Sequence, residues 1–135
     1  MLKRKVNILI SAIALLVGSI LYILFRDNTH IAKLFANISA VDSAKKLLAP
    51  LSCNFIKYYF PDFLWCLSLS CGLQAILAAT SKGCLLCSGV AGAFGALWEC
   101  LQYVGVISGT GDLWDIACCF LACGICYILN LEERK

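Results

Sequence analysis

The stretch VNILISAIALLVGSILYILF, residues 6–25, decides the fold. It holds no charged residue over 20 positions. At about 1.5 Å of rise per residue, about 20 helical residues cross the roughly 30 Å hydrocarbon core of a bilayer. Lys3-Arg4-Lys5 precedes it, as in a signal peptide. The apolar stretch is too long for one, and no small-residue cleavage site follows, so the reading is a retained transmembrane helix.

Three further apolar runs follow. The second covers 62–79, opened by Pro61-Asp62 and flanked by Tyr58, Tyr59, Phe60 and Trp65, an aromatic belt of the kind found at membrane interfaces. The third covers 84–107 and the fourth 113–131. Gly89, Gly92 and Ala96 recur at three- and four-residue steps, and are expected to form a small-residue packing face on the third helix. Between the first two spans, Ile31, Leu34, Phe35, Ile38, Val41, Leu47, Leu48 and Leu51 follow a broken helical period with lysines between them. This fits an amphipathic segment lying in the interface. The expected fold is therefore all-α: a single domain over 1–135, a four-helix transmembrane bundle with an interfacial amphipathic segment between helices 1 and 2.

Composition agrees. The chain is 61% hydrophobic and 14% charged, with a mean hydropathy of +0.87, whereas a soluble domain is about half apolar and about a quarter charged. A net charge of +3 without a basic stripe excludes a nucleic-acid partner. Of ten cysteines, all but Cys53 lie in or beside apolar runs, where a thiol packs as a small hydrophobe. Cys84-Leu-Leu-Cys87 and Cys123-Gly-Ile-Cys126 have CxxC spacing but no second ligand cluster. The sole histidine, His30, is remote from both. No metal and no cofactor is expected. Asn37-Ile38-Ser39 is a formal glycosylation sequon of no weight.

Four spans put both termini on one side. Lys and Arg then number six on that side and five on the other. The Lys3–Lys5 triplet tips the balance toward cytoplasmic termini.

The placement of polar residues is more informative. Arg26, Asp62, Glu99, Gln102, Asp112 and Asp115 all fall toward the bilayer face opposite the termini. With the third helix ending near 107, Glu99 lies about 12 Å inside. An ionised side chain at that depth costs at least ~2.5 kcal/mol against lipid. Glu99 is therefore expected in the bundle interior, paired or protonated, with Arg26 as its basic candidate. Asp112 and Asp115, three apart, are expected to point at one common space. Simpler roles stand beside these: Asp112 and Asp62 as N-caps, Asp115 at the positive end of a helix dipole. Gln74, mid-helix, reads as interhelical glue.

Trp98-Glu99-Cys100-Leu101-Gln102, followed by Ser108-Gly109-Thr110-Gly111-Asp112-Leu113-Trp114-Asp115 and an apolar helix, resembles the VanZ-like family of small bacterial membrane proteins, named for a teicoplanin-resistance protein. Pro61-Asp62-Phe63-Leu64-Trp65 resembles the start of the preceding helix in that family. The resemblance covers roughly Phe60 to Leu131. Family members often carry an arginine in the loop where Gly109, Thr110 and Gly111 stand. A histidine is common where Trp65 and Cys66 stand, and an Asn and a Gly where Cys119 and Ala122 stand. Only Glu99, Gln102, Asp112, Asp115 and Asp62 match the pattern.

The resemblance implies a multi-pass protein of the bacterial cytoplasmic membrane with a role in the cell envelope. Three functions remain open. One is a non-enzymatic protein that binds a lipid-linked cell-wall component or a glycopeptide at the polar cluster. The second is a small intramembrane enzyme acting on a lipid or polyprenyl phosphate, with acids that hold a divalent metal or serve as general acid and base. The third is a structural or assembly partner. No Ser/His/Asp set, phosphate loop or HExxH supports the enzyme. Membrane lipids are the certain partners, and four short helices leave room for a homo-oligomer.

Overall fold

A computed structural model describes residues 2–25, 35, 38–51, 53–107 and 111–131. Arg26 lies outside them, as do most of the Ser108–Gly111 loop and the charged C-terminal tail. The regular elements among the described residues are all helical: α1 (Leu2–Phe25), α2 (Ser39–Leu48), α3 (Phe60–Leu77), α4 (Ser81–Tyr103) and α5 (Leu113–Leu131). Four of them are long and apolar enough to span a membrane. The chain is an integral membrane protein.

Five helix boundaries differ from the sequence reading: the first helix begins at Leu2 rather than at 6, the second ends at Leu77 rather than at 79, and three others shift for a local reason. The second span enters at Phe55, not at Asp62, and runs to Leu77 as one stretch of 23 residues. Phe55–Tyr59 forms a π-turn, and the Phe60 N–H donates to the Phe55 carbonyl. Proline clashes with the carbonyl four residues back. The wide turn before Pro61 lets the helix pass through that residue. The third span begins at Ser81 because Thr80 caps it, its Oγ1 accepting from the Gly83 N–H at 3.2 Å. That span ends at Tyr103, four residues before the apolar run does. Gly105 at φ +75° closes it. The Gly105 N–H donates to the Gln102 carbonyl and the Val106 N–H to the Leu101 carbonyl, a glycine C-cap. Glu99 is thus four residues from its helix end, about 6 Å along the axis rather than 12.

α2 lies in the connection between the first two spans. Val41, Ala44 and Leu48 are half-buried, and Asp42, Ser43, Lys46 and Leu47 are exposed. This is the helical period of an interfacial segment.

α3 is the central helix and packs on α1, α4 and α5. Half of its spanning window is buried, against 22% for α1. Small residues set the spacing between α1 and α3. A side chain at Gly18 would meet the Trp65 ring, and one at Gly72 would meet Ser11. Ser11 and Ser68 each donate to the other's carbonyl, at 2.9 and 2.8 Å. Such small contact residues let helices approach in lipid, where no hydrophobic force drives them together.

The interior between α3, α4 and α5 is stacked in layers of about one helical turn. Asp62, Cys66, Ser70 and Gln74 descend α3 in steps of four. Glu99, Gly95, Ala91 and Ser88 face them from α4. Asp115, Cys119, Ala122 and Cys126 complete the layers from α5. Cys66, Ala91, Cys119, Ala122 and Cys123 make the apolar centre. Gly95 is needed there, because a Cβ would stand 2.8 Å from Cys66 Sγ and 2.9 Å from Cys119 Sγ. The α4 face that packs is therefore Ser88, Ala91, Gly92, Gly95 and Glu99. Gly89 points into open space, contrary to the expected Gly89–Gly92–Ala96 face. Below the centre, Gln74 is fully buried. Its Nε2 donates to Ser88 Oγ at 2.8 Å, and Ser88 bonds Ser70 at 3.1 Å. At the far end Asn7 Nδ2 donates to Asn130 Oδ1 at 2.9 Å, which joins the start of α1 to the end of α5.

Candidate functional site: a three-carboxylate pocket

The top layer of this interior is the site. Asp62 sits in the first turn of α3, Asp115 in the first turn of α5, and Glu99 in the last turns of α4. Antiparallel packing brings these ends together. One oxygen from each carboxylate lies within 4.8 Å of the other two. Glu99 and Asp115 are each 3% exposed. Two unit charges at that distance repel by about 3.5 kcal/mol at an effective dielectric of about 20. Three ionised carboxylates here would repel in every pair, and positive charge or protonation relieves that repulsion. An ion about 2.3–2.6 Å from each of three oxygens needs them at most about 5 Å apart. The observed spacing meets that condition, and it equally suits an organic ammonium group.

Asp112 has a different place from Asp115. Its Oδ1 accepts from the Trp114 N–H at 3.2 Å, which caps α5, and its Oδ2 accepts from Tyr59 Oη at 3.2 Å. Its own N–H donates to Glu99 Oε2 at 3.4 Å. Asp112 thus holds the rim, while Asp115 turns inward. The two aspartates do not share one space as the spacing suggests. Gln102 is half-buried and lies outside both the carboxylate trio and the pocket lining. Arg26, the expected basic partner of Glu99, lies outside the described residues.

Gly111 fixes how the α5 entrance meets the end of α4. A Cβ there would stand 2.5 Å from the Glu99 carbonyl oxygen and 2.6 Å from the Tyr103 nitrogen. Both obstacles are backbone, so only glycine lets the loop pass this close.

Below the acids a cavity of about 260 Å³ opens between α3 and α4. Trp65, Leu69, Phe94 and Trp98 form its walls, with Cys66, Gly95 and Cys119 behind them. Leu69, Phe94 and Trp98 are also exposed on the outer surface of the bundle. The cavity therefore opens sideways, toward the lipid. Asp62 and Glu99 supply the polar end of an otherwise apolar chamber. Sequence reasoning found the acids but not these walls. The only hint was that Leu69 and Phe94 flank the small inward residues of their helices.

Comparison of the chain with protein-family models, with curated proteins and with solved structures gives no match.

Proposed function

We propose that this is a VanZ-like protein of the bacterial cytoplasmic membrane that binds an envelope component or a glycopeptide through the carboxylate pocket, without catalysis. The carrying observation is the convergence of Asp62, Glu99 and Asp115 on one another, with Asp62 and Glu99 lining the polar end of an apolar chamber that opens to lipid. Carboxylates crowded in a low-dielectric setting select a positive charge. The apolar walls select a hydrophobic body, and two tryptophans add cation–π attraction. The preferred ligand thus joins a protonated amine to an apolar or acyl part. Lipid-linked wall components and lipid-bearing glycopeptides offer that combination. In this reading the termini are cytoplasmic and the pocket faces the outer leaflet, where such ligands are met.

The test is calorimetry on detergent-purified protein with teicoplanin and with a lipid-linked wall precursor, beside susceptibility of cells to teicoplanin. Glu99→Gln is expected to fold as the parent does and to weaken binding at least about tenfold, the loss of one charge-assisted contact. Unchanged binding and unchanged susceptibility in both Glu99→Gln and Asp115→Asn would sink the proposal.

The 4.8 Å spacing also favours a second reading, an intramembrane enzyme that holds a divalent cation against a lipid or polyprenyl phosphate. In that case magnesium or calcium alone gives a binding heat that Glu99→Gln removes, and the phosphate ligand binds only with the ion present.

A further inference from the structure

The carboxylate pocket does not use the lower thiols of the α3–α5 interface. Cys71 Sγ and Cys126 Sγ stand 2.8 Å apart there, on facing helices. Cys71 is 2% exposed and Cys126 fully buried. Both are free thiols. A disulfide bond is about 2.05 Å long and forms where the paired Cβ atoms already face each other. The two sulfurs need less than an ångström of approach to bond. Neither CxxC spacing in the sequence points to this pair. Cys123 and Cys126 lie on neighbouring turns of one helix, and Cys71 comes from another.

Polar groups surround the pair at a depth where lipid offers none. Asn130 Nδ2 lies 3.9 Å from Cys126 Sγ, and its amide is oriented by a 2.8 Å bond to the Cys126 carbonyl.

We propose that Cys71 and Cys126 are a redox modification site, a dithiol that closes to an intramembrane disulfide between α3 and α5. The oxidant is of the lipid-soluble quinone class, met in the bilayer. Both S–H bonds break and one Sγ–Sγ bond forms. The two protons and two electrons reduce the quinone to its quinol. The bond ties α3 to α5 below the apolar centre, on the helices that carry Asp62 and Asp115.

The test uses the full chain in native membranes. It is treated with a fully substituted benzoquinone, which cannot add to thiols, or with diamide. Free thiols are then alkylated under denaturing conditions, the protein is reduced, and newly released thiols take a second, heavier label. The expected result is that Cys71 and Cys126 gain the heavy label together, about tenfold more than buried Cys84. Cys71→Ser should abolish heavy labelling of Cys126, and Cys126→Ser that of Cys71. Three results overturn the proposal: equal labelling of Cys71, Cys126 and Cys84; heavy label confined to Cys66 and Cys119 or to Cys84 and Cys87; or Cys126 oxidised in the Cys71→Ser protein. The wild-type measurement stands even if a serine variant fails to accumulate.

Discussion

The two ends of the α3–α4–α5 interior hold polar groups in opposite ways. At the lower end Gln74, Ser70 and Ser88 are neutral, and hydrogen bonds run between α3 and α4. Asn7 and Asn130 do the same between α1 and α5. Each such bond holds helices together by about 0.6 kcal/mol on average and at most about 1.7, offset at Gln74 by a buried Oε1 that accepts no hydrogen bond among the described residues. At the upper end Asp62, Glu99 and Asp115 bring like charges together. Packing of the helix ends holds this arrangement, and a cation would make it favourable. The lower end is adhesive and the upper end is poised to bind.

If the upper end is imposed by packing, the largest effect should come from the residue that imposes it. Gly111→Ala drives a Cβ into the backbone at Glu99 and Tyr103. Backbone cannot rotate away, so the α4–α5 junction must move. We expect a loss of about 1–3 kcal/mol, the usual cost of overpacking, and loss of ligand binding with it. Reversible unfolding in mixed micelles and calorimetry would measure the two. A variant as stable and as active as the parent would break the comparison, because the acids would then gather without the close approach.

The opposite pattern is expected at the lower end. Gln74→Leu keeps volume and apolar fit but removes the bond to Ser88. Ser88 keeps Ser70 as a partner. Stability should fall by at most about 1.7 kcal/mol, because the change also removes the buried Gln74 Oε1 that accepts no hydrogen bond among the described residues, while binding at the pocket stays within twofold, since Gln74 lies three turns below Asp62. Binding that falls as far as in Glu99→Gln would merge the two ends into one functional unit.

Much of this was legible before any coordinates. An uninterrupted 20-residue apolar run has one physical use, and three further apolar runs, each with a single acid, make a bundle with it. Glu99 was singled out because an acid in an apolar helix has to face inward, and it does. Sequence spacing went astray where two residues of the same kind look equivalent. Asp112 and Asp115 share a helix face in an ideal helix, but Asp112 precedes the first turn and caps it. Gly105 was hidden inside an apolar run, so the helix seemed to continue to 107. Gly89 and Gly92 are both glycines at helical spacing, and only the partner helix decides which one packs. The Cys71–Cys126 pair and the pocket walls depend on the register between helices 55 residues apart. No local pattern encodes that register.

The smallest effect should be at the far end, in Asn7→Ala. The variant removes the Asn7–Asn130 bond, yet Asn130 keeps its Nδ2 bond to the Cys126 carbonyl at 2.8 Å. The cost is then one interhelical bond and the loss of the donor to the buried Asn130 Oδ1, about 1 kcal/mol together. Asn130 lies about 22 Å along α5 from Asp115, so ligand binding should not change. α1 reaches the other spans chiefly through α3, and this contact ties it to α5 as well. Asn7→Ala should therefore speed labelling of a cysteine placed at Ile10 more than it lowers global stability. Equal protection of that cysteine in parent and variant would show that α1 is held by its serine and glycine contacts with α3 alone. The neutral end would then owe its adhesion to close packing rather than to its hydrogen bonds.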